Sequence, residues 1–382
     1  MGGLIQLAAI GNSDVFLTGS PQITFWKMVF KRYTNFAIES IEQPFTGNPN
    51  FGSVSSVTLP KNTGDLINKC HIQLTLSRTS DSANTLKDKF GLKLLKRVIL
   101  SIDGMDIDSQ TGEFMEYWNE YTLDDEKKVG YNEMIGNSAS FDTHEEEEFD
   151  NQTTVIIPLQ LYFCKNPGLS LPIHALQYSE VKVKIEFNDK TICLSQGMTS
   201  TIKIDKCSLF VDYVYLDTEE KKAILQSAQE FLITQTQELS GNISDKTSQH
   251  EGNVKLDFIH PIKELMWVFQ DGTTGDLKHM MSAYITMNGG QKRASERPAK
   301  YYRLVQPYDH HSKVPTIPLY MYSFALKPEE SQPSGSCNFS RLDNSYLYYY
   351  LRNGHGASRI KVYATNTNLL RIMSGKGALA YS

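Results

Sequence analysis

The stretch PLYMYSFALKPEESQPSGSCNFSRLDNSY, from Pro318 to Tyr346, contains a strand, a kinked polar loop and the approach to a further strand. Tyr320, Tyr322 and Phe324 alternate onto one face of an extended segment. Pro328, Pro333 and Gly335 then break the ladder, and Leu342 is the expected point of restart. None of its residues makes a catalytic set. Short strands punctuated in this way belong to antiparallel sandwiches.

Other segments carry the same period of two. Cys70, Ile72, Leu74 and Leu76 point one way, with His71, Gln73, Thr75 and Ser77 opposite. Val181, Val183, Ile185 and Phe187 alternate with Lys182, Lys184 and Glu186, and Ile360, Val362 and Ala364 with Arg359, Lys361 and Tyr363. One helix is expected to begin at Asp217, which with Glu220 forms a capping-box-like start. Ile224, Ala228, Phe231, Leu232 and Gln235 follow at helical spacing, and Ser240-Gly241-Asn242 ends it. Pro158-Leu159-Gln160-Leu161-Tyr162 and Pro318-Leu319-Tyr320-Met321-Tyr322 form a faint internal repeat, each followed by Lys and Pro. A duplicated unit is the expectation.

The chain has 382 residues, which favours two domains, each long enough to bury a core. Twenty Tyr, eighteen Phe and Thr/Val/Ile-rich runs lean to strands. A formal charge of -5 argues against coating nucleic acid, which calls for a basic excess. Five cysteines (Cys70, Cys164, Cys193, Cys207, Cys337) lack any Cys-x-x-Cys pairing and are expected to be reduced thiols. No apolar run reaches the roughly 20 residues of a membrane span. A soluble chain is the expectation. The start, Met1-Gly2-Gly3-Leu4-Ile5-Gln6, has neither a basic signal-peptide region nor the Ser or Thr of a myristoylation site.

Several fragments imitate chemistry. His144-Glu145-Glu146-Glu147-Glu148 starts like a zinc-protease helix but lacks a second His at 148, so a solvated acidic loop is expected. Ser374-Gly375-Lys376-Gly377 has neither the first Gly nor the hydroxyl residue of a phosphate loop. His310-His311 carries imidazoles, but neighbours on a strand point to opposite faces and do not share one ion. One inward and one outward histidine is the expectation. Asp103-Gly104 and Asp271-Gly272 read as turns. Sequons at Asn151, Asn242 and Asn338 are expected to stay unused. No catalytic, cofactor-binding or metal residue is assigned.

The wording of the chain resembles the major capsid proteins of the nucleocytoplasmic large DNA viruses. The likeness runs from Gly3-Leu4-Ile5-Gln6-Leu7 through Arg32-Tyr33-Thr34-Asn35-Phe36-Ala37 and Gly64-Asp65-Leu66-Ile67 to Asn166-Pro167-Gly168-Leu169 and Leu171 to Tyr178. It continues with Asp212 to Glu220, Val305-Gln306-Pro307-Tyr308, the block at Pro318 and Leu370 to Gly375. Lys61-Asn62-Thr63 and Lys376 depart from it.

The resemblance implies an all-β double jelly roll: two consecutive eight-stranded antiparallel sandwiches, with a short helix after the first strand of the second. Residues 1–20 would be an N-terminal arm, 21–205 the first jelly roll and 206–382 the second. Three copies would form a pseudo-hexagonal homotrimer that tiles an icosahedral virion shell, without enzymatic activity, cofactor or direct contact with nucleic acid. Minor capsid proteins and an internal membrane would lie beneath, and the arm would tie the capsomer to its neighbours. The loops Asp142 to Thr153 and Asp271 to His279 would contribute to the outer surface, since jelly-roll loops cluster at the sandwich ends. The alternatives are a paralogous minor capsid or scaffold protein of the same fold and, in another class, a carbohydrate-binding or carbohydrate-active sandwich, which would want two facing carboxylates.

Overall fold

A computed structural model describes residues 2–23, 25–26, 31–78, 87–136, 152–193, 202–243 and 250–381. Residues 1–36 form a compact unit of their own. It holds two short helices, Gly2–Ala8 and Asn12–Thr18, and the described side chains from Leu4 to Ser20 are exposed. Residues 37–382 form the second unit.

The first eight strands are β1 (Phe36–Pro44), β2 (Val54–Thr58), β3 (Leu66–Arg78), β4 (Leu95–Ile102), β5 (Met105–Gln110), β6 (Gln152–Pro158), β7 (Val181–Phe187) and β8 (Ile202–Leu216). They build two sheets, ordered β1-β8-β3-β6 and β2-β7-β4-β5. The side chains expected inward on β3 and β7 are all buried, and they meet Val98, Leu100, Val155 and Leu209 in one core. Two amphipathic sheets facing each other are the sandwich solution to burying those faces.

Eleven further segments follow: β9 (Gln229–Asn242), β10 (His250–Lys255), β11 (Pro261–Gln270), β12 (Leu277–Lys278), β13 (Ser282–Met287), β14 (Gln291–Pro298), β15 (Tyr320–Ser323), β16 (Cys337–Asn338), β17 (Tyr346–Leu351), β18 (Arg359–Met373) and β19 (Lys376–Leu379). One sheet is ordered β10-β17-β13-β14. In the other, β11 pairs on one edge with β18 and on the other with β15, β16 and β12 in turn. β18 pairs with β9 from Arg359 to Ile372. Each strand has only two edges, so β15 and β16 share one position, interrupted by the loop 324–336.

The principal positions therefore run β9-β18-β11-β15/β16 and β10-β17-β13-β14, with β12 and β19 as short additions. Counted in chain order, both halves have the sheet orders 1-8-3-6 and 2-7-4-5. The jelly roll occurs twice.

The expected repeat falls on equivalent strands, since β6 and β15 occupy the same position. Its residues do not superpose along them: Pro158 ends β6, whereas Pro318 precedes β15. After the proline loop, Cys337 rather than Leu342 restarts the pairing, opposite Ile262. Leu342 follows a single 3-10 turn, Phe339–Arg341, and the next full strand begins at Tyr346.

Two further expectations are corrected. The helix covers only Thr218–Gln226, with the Asp217 carboxylate accepting from the Thr218 N–H at 2.7 Å. Phe231, Leu232 and Gln235 lie instead in β9, where fourteen consecutive residues pair with β18, and this pairing outweighs a helical spacing. The boundary expected between 205 and 206 falls inside β8, which is bonded to β3 from Ile202 to Val214. By sheet membership β8 closes the first sandwich, and the short helix precedes the first strand of the second rather than following it.

The junction between the sandwiches as candidate functional site

Two of the contacts that hold one sandwich against the other, among the described residues, are built largely of buried side chains. The first is the helix Gly112–Thr122, which leaves β5 under a Thr111 cap whose hydroxyl accepts from the Phe114 N–H. Gly112 is required there, because a Cβ would sit 2.0 Å from the Leu92 carbonyl oxygen. Met115 points into the first core. Phe114, Tyr117, Trp118 and Tyr121, at the spacing of one helical face, pack on Met266, Val268, Leu319, Met321 and Tyr363. Both faces of β11 and β15 are thereby covered: Tyr320 faces the second core, and Met321 faces the helix. The ring centroid of Tyr363 lies 5.7 Å from Phe114 and 5.8 Å from Tyr117.

The second contact is made by strands long enough to serve two cores. On β18, Ile360, Val362 and Ala364 enter the second core, while Leu370 and Ile372, on the same face, enter the first. Between them lie the buried Asn366 and Asn368. Both side-chain amides donate to Gln235 Oε1 on β9 at 3.1 Å, and Gln237 Nε2 donates to Asn366 Oδ1 at 2.9 Å. Ile233 and Leu239 repeat the division on β9. Asp108 of β5 accepts from the Thr236 N–H at 3.1 Å, and its burial pushes its pKa up to about 6.

At the rim stands His311. Its side chain is wholly buried, and its ring nitrogens meet Glu264 Oε2 and Glu329 Oε1, each at 2.7 Å. The ring stacks on Tyr121 at 4.7 Å and meets Trp118 edge-on at 6.1 Å. Burial alone lowers the imidazole pKa, but the two carboxylates outweigh it and raise the value to about 9. His310 is half-buried and bonds to the Leu326 carbonyl at 3.0 Å. The two rings thus part company at the end of the helix Gln306–His310 rather than on a strand.

The other fragments fall where they can do little chemistry. Ser374 and Gly375, with φ of 53° and 79°, form the tight turn between β18 and β19, and no helix follows. Asp103-Gly104 is the corresponding turn between β4 and β5, with φ of 52° and 81°. Asp103 there accepts from the Glu180 N–H and the Ser179 hydroxyl. Asp271 accepts from the Thr273 N–H in the turn before β12. Asn242 and Asn338 are exposed, while Asn151 and His144 to Glu148 lie outside the described residues. Among the described residues, no group of three His, Cys, Asp or Glu could hold a metal ion, and no helix is long and apolar enough to cross a membrane.

The helix Gly112–Thr122 was not anticipated, although Thr111 and the Phe114/Tyr117/Trp118/Tyr121 spacing announce it. Outside the junction, Tyr178, Leu225 and Met373 are exposed around a groove of 290 Å³ that includes Ala175 and Ile372. A second exposed set is Val305, Tyr308 and Leu326.

Two family models cover nearly the whole chain: "Major capsid protein N-terminus" matches residues 24–217 and "Large eukaryotic DNA virus major capsid protein" residues 220–378. The chain belongs to the major capsid proteins of large eukaryotic DNA viruses. Within that family, the major capsid protein of Pyramimonas orientalis virus is 40% identical over 100% of this chain and 99% of its own length. That of Paramecium bursaria Chlorella virus 1 is 34% identical over 100% and 99%.

The crystal structure of PBCV-1 VP54, fitted into a reconstruction of the virophage Sputnik, matches with a TM-score of 0.82 and 31% identity, covering 94% of this chain and 100% of that one. The Faustovirus major capsid protein, at 12% identity and a TM-score of 0.76, shares the fold. The family models meet in the short helix, their break at 218–219 agreeing with the change of sheets after β8. The chain is thus a capsid protein with the double jelly-roll fold.

Proposed function

We propose that three copies of this major capsid protein close into a pseudo-hexagonal capsomer, and that capsomers tile an icosahedral shell. The observation that carries the reading is the repeated strand order, held by a buried junction within one chain. Three copies supply six similar sandwiches, and a cyclic arrangement places them in near-sixfold order. The junction sets the angle between two of the six, so three chains repeat one geometry. Exposed apolar side chains such as Tyr178, Met373 and Tyr308 are available for contacts between copies or capsomers.

The protein acts by complementary burial, without catalysis, cofactor or nucleic-acid contact; its mild negative charge suits a shell kept off the genome. Minor capsid proteins, with any internal membrane, would meet its inner face. The exposed Leu4, Ile5, Leu7, Phe16 and Leu17 support the arm as the segment that ties capsomers together. Electron microscopy of the purified protein tests the reading: threefold particles with six lobes are expected, and a monodisperse monomer at assembly concentrations would overturn it. Deleting residues 2–20 tests the arm, which has no such role if shells assemble unchanged.

A further inference from the structure

In each sandwich the connection between the fifth and sixth strands is helical, and the two connections share one pattern. The first holds the helix Gly112–Thr122, and the second a π turn, Tyr301–Val305, that runs on into the helix Gln306–His310. Tyr302 enters the second core as Met115 enters the first. One turn later, Asn119 accepts from the Gln160 side chain just after β6, and Gln306 accepts from the Ser323 N–H at the end of β15. Both helices are thus pinned to the sixth strand of their own sandwich. With Tyr302 set on Met115, Tyr301, Leu304, Val305 and Tyr308 take the places of Phe114, Tyr117, Trp118 and Tyr121. The first helix buries its four on the outer face of β11 and β15. On the second, Val305 is 44% exposed and Tyr308 79%.

The face that would cover them exists on the first sandwich. In strand order β3, β6 and β8 correspond to β11, β15 and β18. Their outward side chains include the half-buried Gln73, Ile156, His71 and Phe210, the last two rings stacked at 5.4 Å. The charges change places as well. Glu113 of the first helix pairs with Lys361 of β18, whereas Lys300 holds the Glu113 position on the second helix and Asp212 follows Phe210 on the outward face of β8.

We propose that Leu304, Val305 and Tyr308 of one copy dock on the outer face of β6, β3 and β8 of a second copy, repeating between chains the contact that Tyr117, Trp118 and Tyr121 make within one. The inference rests on the three-copy ring proposed above and names the surfaces that close it. The contact is head-to-tail: each copy offers its second helix and receives its neighbour's on its first sandwich. Internal and external contacts then alternate, so six sandwiches are joined by six similar steps, and the ring closes at three copies.

The experiment compares the full chain with the double variant Val305→Asp/Tyr308→Asp by analytical ultracentrifugation. The variant should keep the parent's far-UV circular dichroism and a cooperative melt, while its association weakens at least about 30-fold, as for the loss of an interface hot spot. Independently, p-benzoylphenylalanine in place of Tyr308, in a mixture of unlabelled and isotope-labelled chains, should crosslink between chains to peptides containing residues 71–75, 154–158 or 208–212. A parent trimer that the double variant matches in affinity overturns this contact and leaves the three-copy ring standing, as do crosslinks confined to other peptides, such as those lining the groove at Tyr178. A parent that stays monomeric overturns the ring itself.

Discussion

The His311 imidazole lies 2.7 Å from the Glu264 carboxylate with neither side chain exposed, which places an ion pair inside the rim of the inter-sandwich junction. The pair has a direct consequence for pH. The folded-state pKa of about 9 exceeds the ordinary histidine value near 6.5, so the folded state binds the proton more tightly. This stabilisation is fully present below about pH 6.5 and is lost as pH rises through about 9. Thermal melts from pH 6 to 10 should show the loss. His311→Ala leaves Glu264 buried without its partner and should cost about 3–5 kcal/mol while removing the alkaline component; an unchanged alkaline slope in the variant would place the titrating group elsewhere.

Trp118→Ala cuts away an indole that packs on β11 and meets His311 edge-on, and should cost roughly 3–5 kcal/mol. Because the loss falls between the sandwiches and not within either core, calorimetry should resolve two transitions where the parent shows one. A single transition, merely shifted down, would mean that the strands shared through β9 and β18 suffice to keep the halves coupled.

Asn366→Ala removes both a donor to Gln235 and an acceptor for Gln237 at the point where β18 passes from one core to the other. The two glutamines lose partners, and the expected cost is about 1–3 kcal/mol. Hydrogen exchange should quicken in β9 around residues 233–239 more than in β3. Equal change in both strands would argue for a global rather than a local effect.

Met373→Glu puts a charge beside the exposed groove at Tyr178 and Leu225. As a surface change it should move stability by less than about 0.5 kcal/mol. If the groove is covered in the capsomer or the lattice, assembly should fall steeply at unchanged melting temperature, as read by light scattering and electron microscopy. Normal shells from this variant would show that the groove stays open to solvent.

Much of the fold was legible because an antiparallel sandwich writes itself as alternation. Cys70 to Leu76 and Val181 to Phe187 pointed inward as their spacing requires. The segment 229–242 was misread because Ile224, Phe231 and Gln235 also satisfy a helical spacing, and only the partner strand β18, more than a hundred residues away, decides between them. The boundary error has the same origin: Leu209 to Leu216 reads as a strand either way, and which sheet receives it depends on β3. At the junction, the partners of His311, Glu264 and Glu329, belong to other segments and carry no local signal.

The sequence by itself determined the class, the duplication and the family, because strand periodicity, turn residues and ordered family wording are local properties. Only the tertiary structure decided how one half sits against the other. That geometry depends on Phe114, Trp118 and Tyr121 finding the outer face of β11, and on β9 and β18 running from one core into the next. Burial of this kind is a relation between distant residues, and it has no period along the chain.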